Sequence, residues 1–311
     1  MPRESWRKVN YNLRPAKNIE RKMLSEAFRC LTSFGRLNSY RYVGFGSVFF
    51  SDFKILHRSL GITPMISIED TKKRNEHRFD FNRPYSCVKM EFGNSKDVLP
   101  KLSWDQRTIL WLDYDKTSGL DQDDLTDVSF FCATAVPGSV LVVTVDAREG
   151  DPPEKRLDSL LERLSGKVPP DVKNKDLAGW GTARVYREII DNEIRKTLYE
   201  RNAALVREQQ VQYKQLFNFE YEDSTKMLSC GGLLYERRQA ELLKECDFNS
   251  LRFIRSGKKP YQIIVPNLTI NEIRHLDRTL PHRQRCPISM TDLKRYSELY
   301  RYFPAFVEAE L

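Results

Sequence analysis

Apolar residues in this chain fall into two alternating patterns. Five short runs are dense in β-branched and aromatic residues, as buried strands are: Tyr40-Arg-Tyr-Val-Gly-Phe-Gly-Ser47, Met65-Ile-Ser-Ile-Glu69, Cys87-Val-Lys-Met-Glu-Phe-Gly-Asn-Ser95, Thr108-Ile-Leu-Trp-Leu-Asp-Tyr-Asp115 and Ser139-Val-Leu-Val-Val-Thr-Val-Asp146. Segments of helical spacing separate them, over Val48 to Leu60, Lys72 to Phe81, Ser95 to Leu102 and Val128 to Val136. An amphipathic helix from Ile19 to Phe34 precedes the first run, with Gly35 as its stop. Alternating β and α segments of this length predict an α/β fold around a mostly parallel sheet with right-handed crossovers.

The pattern changes at Gly150. From there to about Ser224 the chain is highly charged and largely helical in period, opened by Pro152-Pro153 and divided by Pro169-Pro170. Tyr186 to Leu216 reads as one long helix, with Ile189, Ile190, Ile194, Leu198, Leu205 and Val206 on its apolar face. Two strand-like runs return at Met227 to Tyr235 and Tyr261 to Val265, which fit a sheet closed by an antiparallel strand. The tail from Ile288 to Leu311 is helical and aromatic (Tyr296, Leu299, Tyr300, Tyr302, Phe303, Phe306), suited to packing on the N-terminal helix or on a second copy of the chain as a homodimer. The organisation expected is therefore a helical extension (1–39), a ligand-binding core (40–149), a charged helical insertion acting as lid or partner surface (150–224), and final strands with a tail completing the core (225–311).

Composition narrows the class. With 311 residues, 40% hydrophobic and 30% charged, the chain can bury a substantial core. No apolar run approaches the roughly 20 residues that span a bilayer. The first residues carry no apolar signal region, so a cytoplasmic protein without a membrane partner is expected. Six scattered cysteines contain no C-x-x-C pair, and the four histidines (His57, His77, His275, His282) lack metal-ligand spacing. The net charge of +8 is concentrated before the sheet (Arg3, Arg7, Lys8, Arg14, Lys17, Arg21, Lys22) and near the end (Arg252 to Lys259, Arg278 to Arg285). Basic termini make nucleic acid a candidate partner, although no helix-turn-helix, zinc-finger or RNA-binding signature accompanies them.

Candidate chemistry lies at the ends of the strand-like runs, where open α/β sheets bind ligands. Gly44 and Gly46, with Ser47 beside them, permit positive φ and close backbone approach to a ligand. Glu69 stands where a carboxylate accepts both hydroxyl protons of a ribose; Asp70 is the alternative, or a helix cap. Asn94 and Ser95 stand where an adenine edge is read, or where the next helix is capped. Asp113 and Asp115 are candidate catalytic acids or bases, with Asp113 also placed to touch a cofactor. Tyr114 between them is a candidate wall of the substrate pocket, or core. Asp146 at the fifth tip, converging on Asp113, forms a candidate Mg²⁺ pair.

In order and spacing these tips resemble a class I S-adenosylmethionine-dependent methyltransferase, locally the catechol O-methyltransferase-like group. Met90-Glu-Phe-Gly-Asn-Ser-Lys-Asp-Val-Leu-Pro-Lys-Leu102 resembles the group's third motif, and Leu112-Asp113 and Val145-Asp146 resemble its two metal-binding aspartates. The resemblance covers roughly Tyr40 to Ala147. It implies a Rossmann-like methyltransferase fold, S-adenosylmethionine as cofactor, Mg²⁺ at Asp113 and Asp146, and methyl transfer to an oxygen or nitrogen nucleophile. Departures are Tyr42 where an acid is common, Val48 in place of a third glycine, and Ala147 where asparagine usually follows the second aspartate. No lysine matches the group's catalytic one; Arg148 and Lys116 lie near. Tyr11-x-x-Arg-Pro-x-Lys17 and Tyr300-Arg-Tyr-Phe-Pro304 resemble signatures of a bacterial methyltransferase group without an assigned substrate. A nucleic-acid methyltransferase, and an inactive methyltransferase-like scaffold, are the competing readings.

Overall fold

The computed structural model describes residues 14–148, 150–281 and 288–304. Arg3, Arg7, Lys8, Tyr11, His282, Arg285 and Phe306, singled out above, lie outside the described residues. Helix α1 (Pro15–Arg29) leads into β1 (Arg41–Gly44), α2 (Ser51–Leu60), β2 (Met65–Glu69), α3 (Glu76–Asn82) and β3 (Val88–Phe92). Then come α4 (Ser95–Val98), β4 (Thr108–Asp113), α5 (Gln122–Thr134), β5 (Val140–Asp146), α6 (Arg156–Arg163) and α7 (Gly181–Asn202). The chain finishes with β6 (Val211–Glu222), β7 (Lys226–Glu236), α8 (Ala240–Glu245), β8 (Tyr261–Ile263), α9 (Ile270–Thr279) and α10 (Met290–Leu299).

All eight strands form one sheet in the order β3-β2-β1-β4-β5-β7-β6-β8. Strands β1 to β5 are mutually parallel, and β7 runs antiparallel between β5 and β6. The mostly parallel α/β architecture expected from the sequence is the one observed. Side chains alternate cleanly between its faces, as the two-residue period of a strand requires. Val43, Leu110, Leu112, Leu141 and Val143 share a core with Leu125, Val128 and Phe131 of α5 and Ile189, Ile190 and Ile194 of α7. Tyr42, Ile109, Trp111, Val140 and Val142 share the opposite core with Ile19, Met23 and Leu24 of α1 and Phe53 and Leu56 of α2. Each such large apolar side chain contributes about 1.5–3 kcal/mol by leaving water.

The long helix expected over Tyr186 to Leu216 is two elements. Helix α7 ends at Asn202, and β6 begins at Val211 as a strand of the sheet. The apolar period changes there from helical to alternating: Phe217, Phe219 and Tyr221 enter one core while Asn218 and Glu220 lie between them. Glycine-rich β7 supplies a continuous antiparallel partner, which favours strand over helix in a segment whose local pattern allowed both. Helix α7 itself packs on α5 and on the sheet. The last segments reach back as expected: Lys22 Nζ donates to the Phe303 carbonyl at 2.9 Å, Arg301 pairs with Glu26 at 3.0 Å, and the Tyr302 hydroxyl also donates to Glu26.

Helix α1 begins with Pro15 at its first turn, a position where the missing N–H costs nothing. It has no cap of its own. Asp223, in the β6–β7 turn, accepts from the amides of Ala16 (2.9 Å) and Lys17 (3.1 Å) and pairs with Arg14 at 3.7 Å. This remote cap pins the helix start to the carboxyl end of the sheet. Replacing it, as Asp223→Ala, is expected to destabilise the protein by about 1–2 kcal/mol, read as a lower urea midpoint with an unchanged denaturant slope.

Candidate functional site

The turn after β1 is tightly packed from below. A Cβ on Gly44 would fall 2.5 Å from the Tyr42 hydroxyl, and one on Gly46 would fall 2.5 Å from the Phe50 ring and 2.8 Å from Ser67 Oγ. Both positions therefore need glycine for space. The positive φ expected of them falls instead on Ser47 (52°) and Phe50 (47°), where L-residues are strained. That strain shortens the following helix, which starts at Ser51 rather than Val48. Phe50 is fully buried and meets Phe53 edge-on at 5.7 Å, so core packing holds the turn in this conformation.

The same turn is held from β2. The Gly46 amide donates to Ser67 Oγ at 3.0 Å, the Ser47 amide donates to Glu69 Oε1 at 2.8 Å, and Ser67 Oγ donates to that oxygen at 2.9 Å. None of these contacts uses Glu69 Oε2. Burial pushes the Glu69 carboxyl up to about 8, against the downward pull of its hydrogen bonds from Ser67 and the turn amides. Ser47 Oγ is buried without a hydrogen-bond partner, a polar atom left for a ligand to satisfy.

Asp113 ends β4 on the other side of the turn. Gly44 pairs with Ser67 of β2 and Trp111 of β4, so Glu69 and Asp113, each two residues further on, lie level on the strands that flank the turn. Asp113 Oδ1 accepts from Lys17 Nζ at 2.8 Å, while the Asp113 side chain stays 24% exposed. Lys17 is almost wholly buried, with its ammonium 2.9 Å from Glu20, 3.2 Å from the Tyr221 hydroxyl and 4.6 Å from the Trp111 ring centroid. Beside it, the Tyr42 hydroxyl donates to buried Asp52. Burial raises the Asp52 carboxyl, and the nearby Arg21 charge opposes that rise.

Several expected site residues turn elsewhere. Tyr114 faces the α5 core, nearly buried, with its hydroxyl donating to Asp127 at 2.7 Å. A substrate-wall role does not fit that orientation; adjacent strand residues point to opposite faces, so Tyr114 turns away from the side Asp113 occupies. Ser95 Oγ meets the same Asp127 oxygen at 2.5 Å. Asn94 caps α4, accepting from the Lys96 amide at 3.1 Å. Asp115 is exposed beyond the tip. Asp146 is buried, and both its oxygens are engaged, by Arg148 at 2.5–2.9 Å and by Thr225 at 3.2 Å. A divalent cation is poorly served here, because the second expected ligand, Asp146, already has both oxygens engaged by Arg148 and Thr225. No group of three or more His, Cys, Asp or Glu among the described residues forms a metal site.

Lys17, Ser67, Asp52 and Asp223 went unassigned in the sequence. Only Lys17 had left a trace, as the last residue of the Arg-Pro-x-Lys run that opens α1.

The eight-stranded sheet, ordered 3-2-1-4-5-7-6-8 with β7 antiparallel between β5 and β6, therefore carries a glycine turn between two tip carboxylates. The chain belongs to the family described as "Putative O-methyltransferase", whose profile it matches over residues 9–311. A search of curated proteins finds no match. Among solved structures, Trm1 from Pyrococcus horikoshii in complex with S-adenosyl-L-methionine is similar at 8% identity and a TM-score of 0.43, covering 72% of this chain and 56% of that one. The N-methyltransferase NodS from Bradyrhizobium japonicum is similar at 11% identity and a TM-score of 0.40, over 70% of this chain and 97% of that one. The O-methyltransferase from Bacillus cereus in complex with SAH is similar at 15% identity and a TM-score of 0.35, over 68% and 80%.

Glu69 gives the site a pH signature. Its carboxyl binds a proton more tightly folded than unfolded, so its contribution to stability is full below its ordinary value of 4.5 and is lost as pH rises through about 8. The melting temperature of the wild type, measured without ligand, is expected to fall relative to Glu69→Gln by several degrees between pH 5 and pH 8. A difference that does not change with pH would contradict the assignment.

Proposed function

We propose that this cleft binds S-adenosylmethionine along the tips of β2, β1 and β4 and transfers its methyl group to an oxygen nucleophile of an acceptor still to be identified, in the cytoplasm. The observation that carries the reading is the level placement of Glu69 and Asp113 on either side of the Gly44–Ser47 turn. Two strand spacings separate those tips, roughly 10 Å, the reach of the extended chain that joins the cofactor's ribose to its amino-acid end. Glu69 Oε2 and Ser47 Oγ would take the ribose hydroxyls, and Asp113 the α-ammonium group. Asn94 and Ser95 remain at the β3 tip, where the adenine would lie.

The cofactor, when bound, supplies an electrophilic methyl on a sulfonium centre. The chain's own contribution is alignment and exclusion of water, because the donor is intrinsically reactive. Asp113 holds the arm that fixes the sulfonium's position. Asp115, exposed at the mouth, is the candidate base for an acceptor hydroxyl. No step is assigned to Mg²⁺, because both oxygens of Asp146 are engaged by Arg148 and Thr225. Free cysteines throughout the described residues fit a reducing compartment.

Calorimetric titration with S-adenosylmethionine tests the reading. Ribose hydroxyls donate to the ionised carboxylate, so binding at pH 7 should expel the Glu69 proton, and affinity should rise with pH until about 8. The heat of binding is expected to depend on buffer ionisation enthalpy in the wild type and not in Glu69→Gln. Affinity in that variant should be about 10–100-fold weaker, as lost hydrogen bonds to a charged group imply. No binding by the wild type at high micromolar ligand would refute the proposal.

A further inference from the structure

The ammonium of Lys17 comes from the N-terminal helix, outside the strand-and-turn scaffold, yet it ends against the β4 tip. Three observations single it out. It is 1% exposed, and it touches Asp113 through Oδ1 only. Its second carboxylate partner, Glu20, is fully buried and accepts no hydrogen bond; the Lys17 ammonium at 2.9 Å is its ion-pair partner. The ammonium itself lies over the Trp111 ring, and the Tyr221 hydroxyl accepts from it.

The charge balance of this group is informative. One ammonium faces two carboxylates, Glu20 and Asp113. Glu20 has no access to solvent or ligand, so the uncompensated negative charge appears at Asp113, whose side chain alone opens to the cleft. Lys17 also ties down one oxygen of that carboxylate, so the other points in a fixed direction. The adjoining Arg21 acts on Asp52, opposing the rise that burial gives that carboxyl.

We propose that Lys17 is a positioning residue for cofactor binding: it fixes the Asp113 carboxylate from behind so that this carboxylate receives the α-ammonium of the cofactor's amino-acid arm. The inference rests on the cofactor orientation given under Proposed function. It makes α1, held by Asp223, part of the binding machinery.

The test compares two probes that differ in that arm. S-adenosylhomocysteine carries it, and 5′-methylthioadenosine ends in a methyl group at the same sulfur. In the wild type, S-adenosylhomocysteine is expected to bind roughly 10–100-fold tighter, the worth of a charge-assisted hydrogen bond. The double variant Lys17→Met/Glu20→Gln removes the buried charge and its buried partner together, which avoids stranding Glu20. It is expected to lose about tenfold or more in S-adenosylhomocysteine affinity and less than twofold in 5′-methylthioadenosine affinity. Asp113→Asn should show the same selective loss, and adding it to the double variant should cost nothing further, because both act on one contact. Tyr221→Phe leaves every charge in place and should lower the ratio of the two affinities about threefold, so the inference stays testable if the double variant does not fold. A double variant, or Tyr221→Phe, that keeps the wild-type ratio would overturn it, as would additive losses. Equal wild-type affinities for the two probes would overturn the arm contact while leaving the ribose reading intact. Absence of binding by both probes would count against the cofactor orientation itself.

Discussion

The charged face of helix α1 is turned inward, and the arrangement of the cleft follows from how that helix is anchored. Asp223 accepts the amides of Ala16 and Lys17 from the β6–β7 turn, more than 200 residues further along the chain. Without an outside acceptor, the first N–H groups of a helix set against the sheet would lack partners. With it, the start of α1 is fixed beside the β4 tip, and Lys17 can reach Asp113. The anchor also joins the two halves of the sheet, because Asp223 belongs to the β6–β7 hairpin while Asp113 belongs to the parallel half.

Burying so many charges is not a source of stability in itself. Desolvation of an ion costs several kcal/mol, and pairing returns that cost only with good geometry. Lys17 meets the condition through two carboxylates, a hydroxyl and an aromatic face. Glu20 meets it poorly, with an ion pair and no hydrogen bond. The turn at Ser47 and Phe50 shows a similar imbalance, strained backbone kept in place by the Phe50–Phe53 packing beneath it. Imperfect satisfaction of buried groups and backbone strain at the same strand tips is the pattern of a site shaped for a ligand rather than for the unliganded fold.

Much of this was legible from periodicity. The five parallel strands and the returning β7 were marked by apolar runs with glycine or acidic ends, and all six are strands of the sheet. Strand β6 was not legible, because Tyr186 to Leu216 fits a helical period until the alternation of Phe217, Phe219 and Tyr221 is read against β7. At the site, Glu69 and the two glycines were visible as residue types in the right place, but their reasons differ from those inferred. The glycines are needed for room above Tyr42 and Phe50, and the left-handed residues are Ser47 and Phe50. Tyr114 was ambiguous until strand alternation assigned its face. Lys17 and Asp223 were out of reach, since their roles depend on contacts spanning 96 and more than 200 residues of chain.

The two carboxylates that flank the turn are supported differently, and the difference matches the two ends of the ligand proposed for the cleft. Glu69 is surrounded by neutral donors, a serine hydroxyl and backbone amides, and burial raises its affinity for a proton. Such a group suits neutral hydroxyls, whose hydrogen bonds can complete the stabilisation that its own neighbours begin. Asp113 instead stands against an ammonium that Glu20 has already matched, so the excess negative charge faces outward. A group of that kind favours a cation. Exchanging the two environments would leave a hydroxyl opposite an excess charge and an ammonium opposite a carboxyl inclined to keep its proton. The polarity of the cleft, neutral at β2 and anionic at β4, therefore supports the proposed orientation, with the ribose at β2 and the charged amino-acid arm at β4.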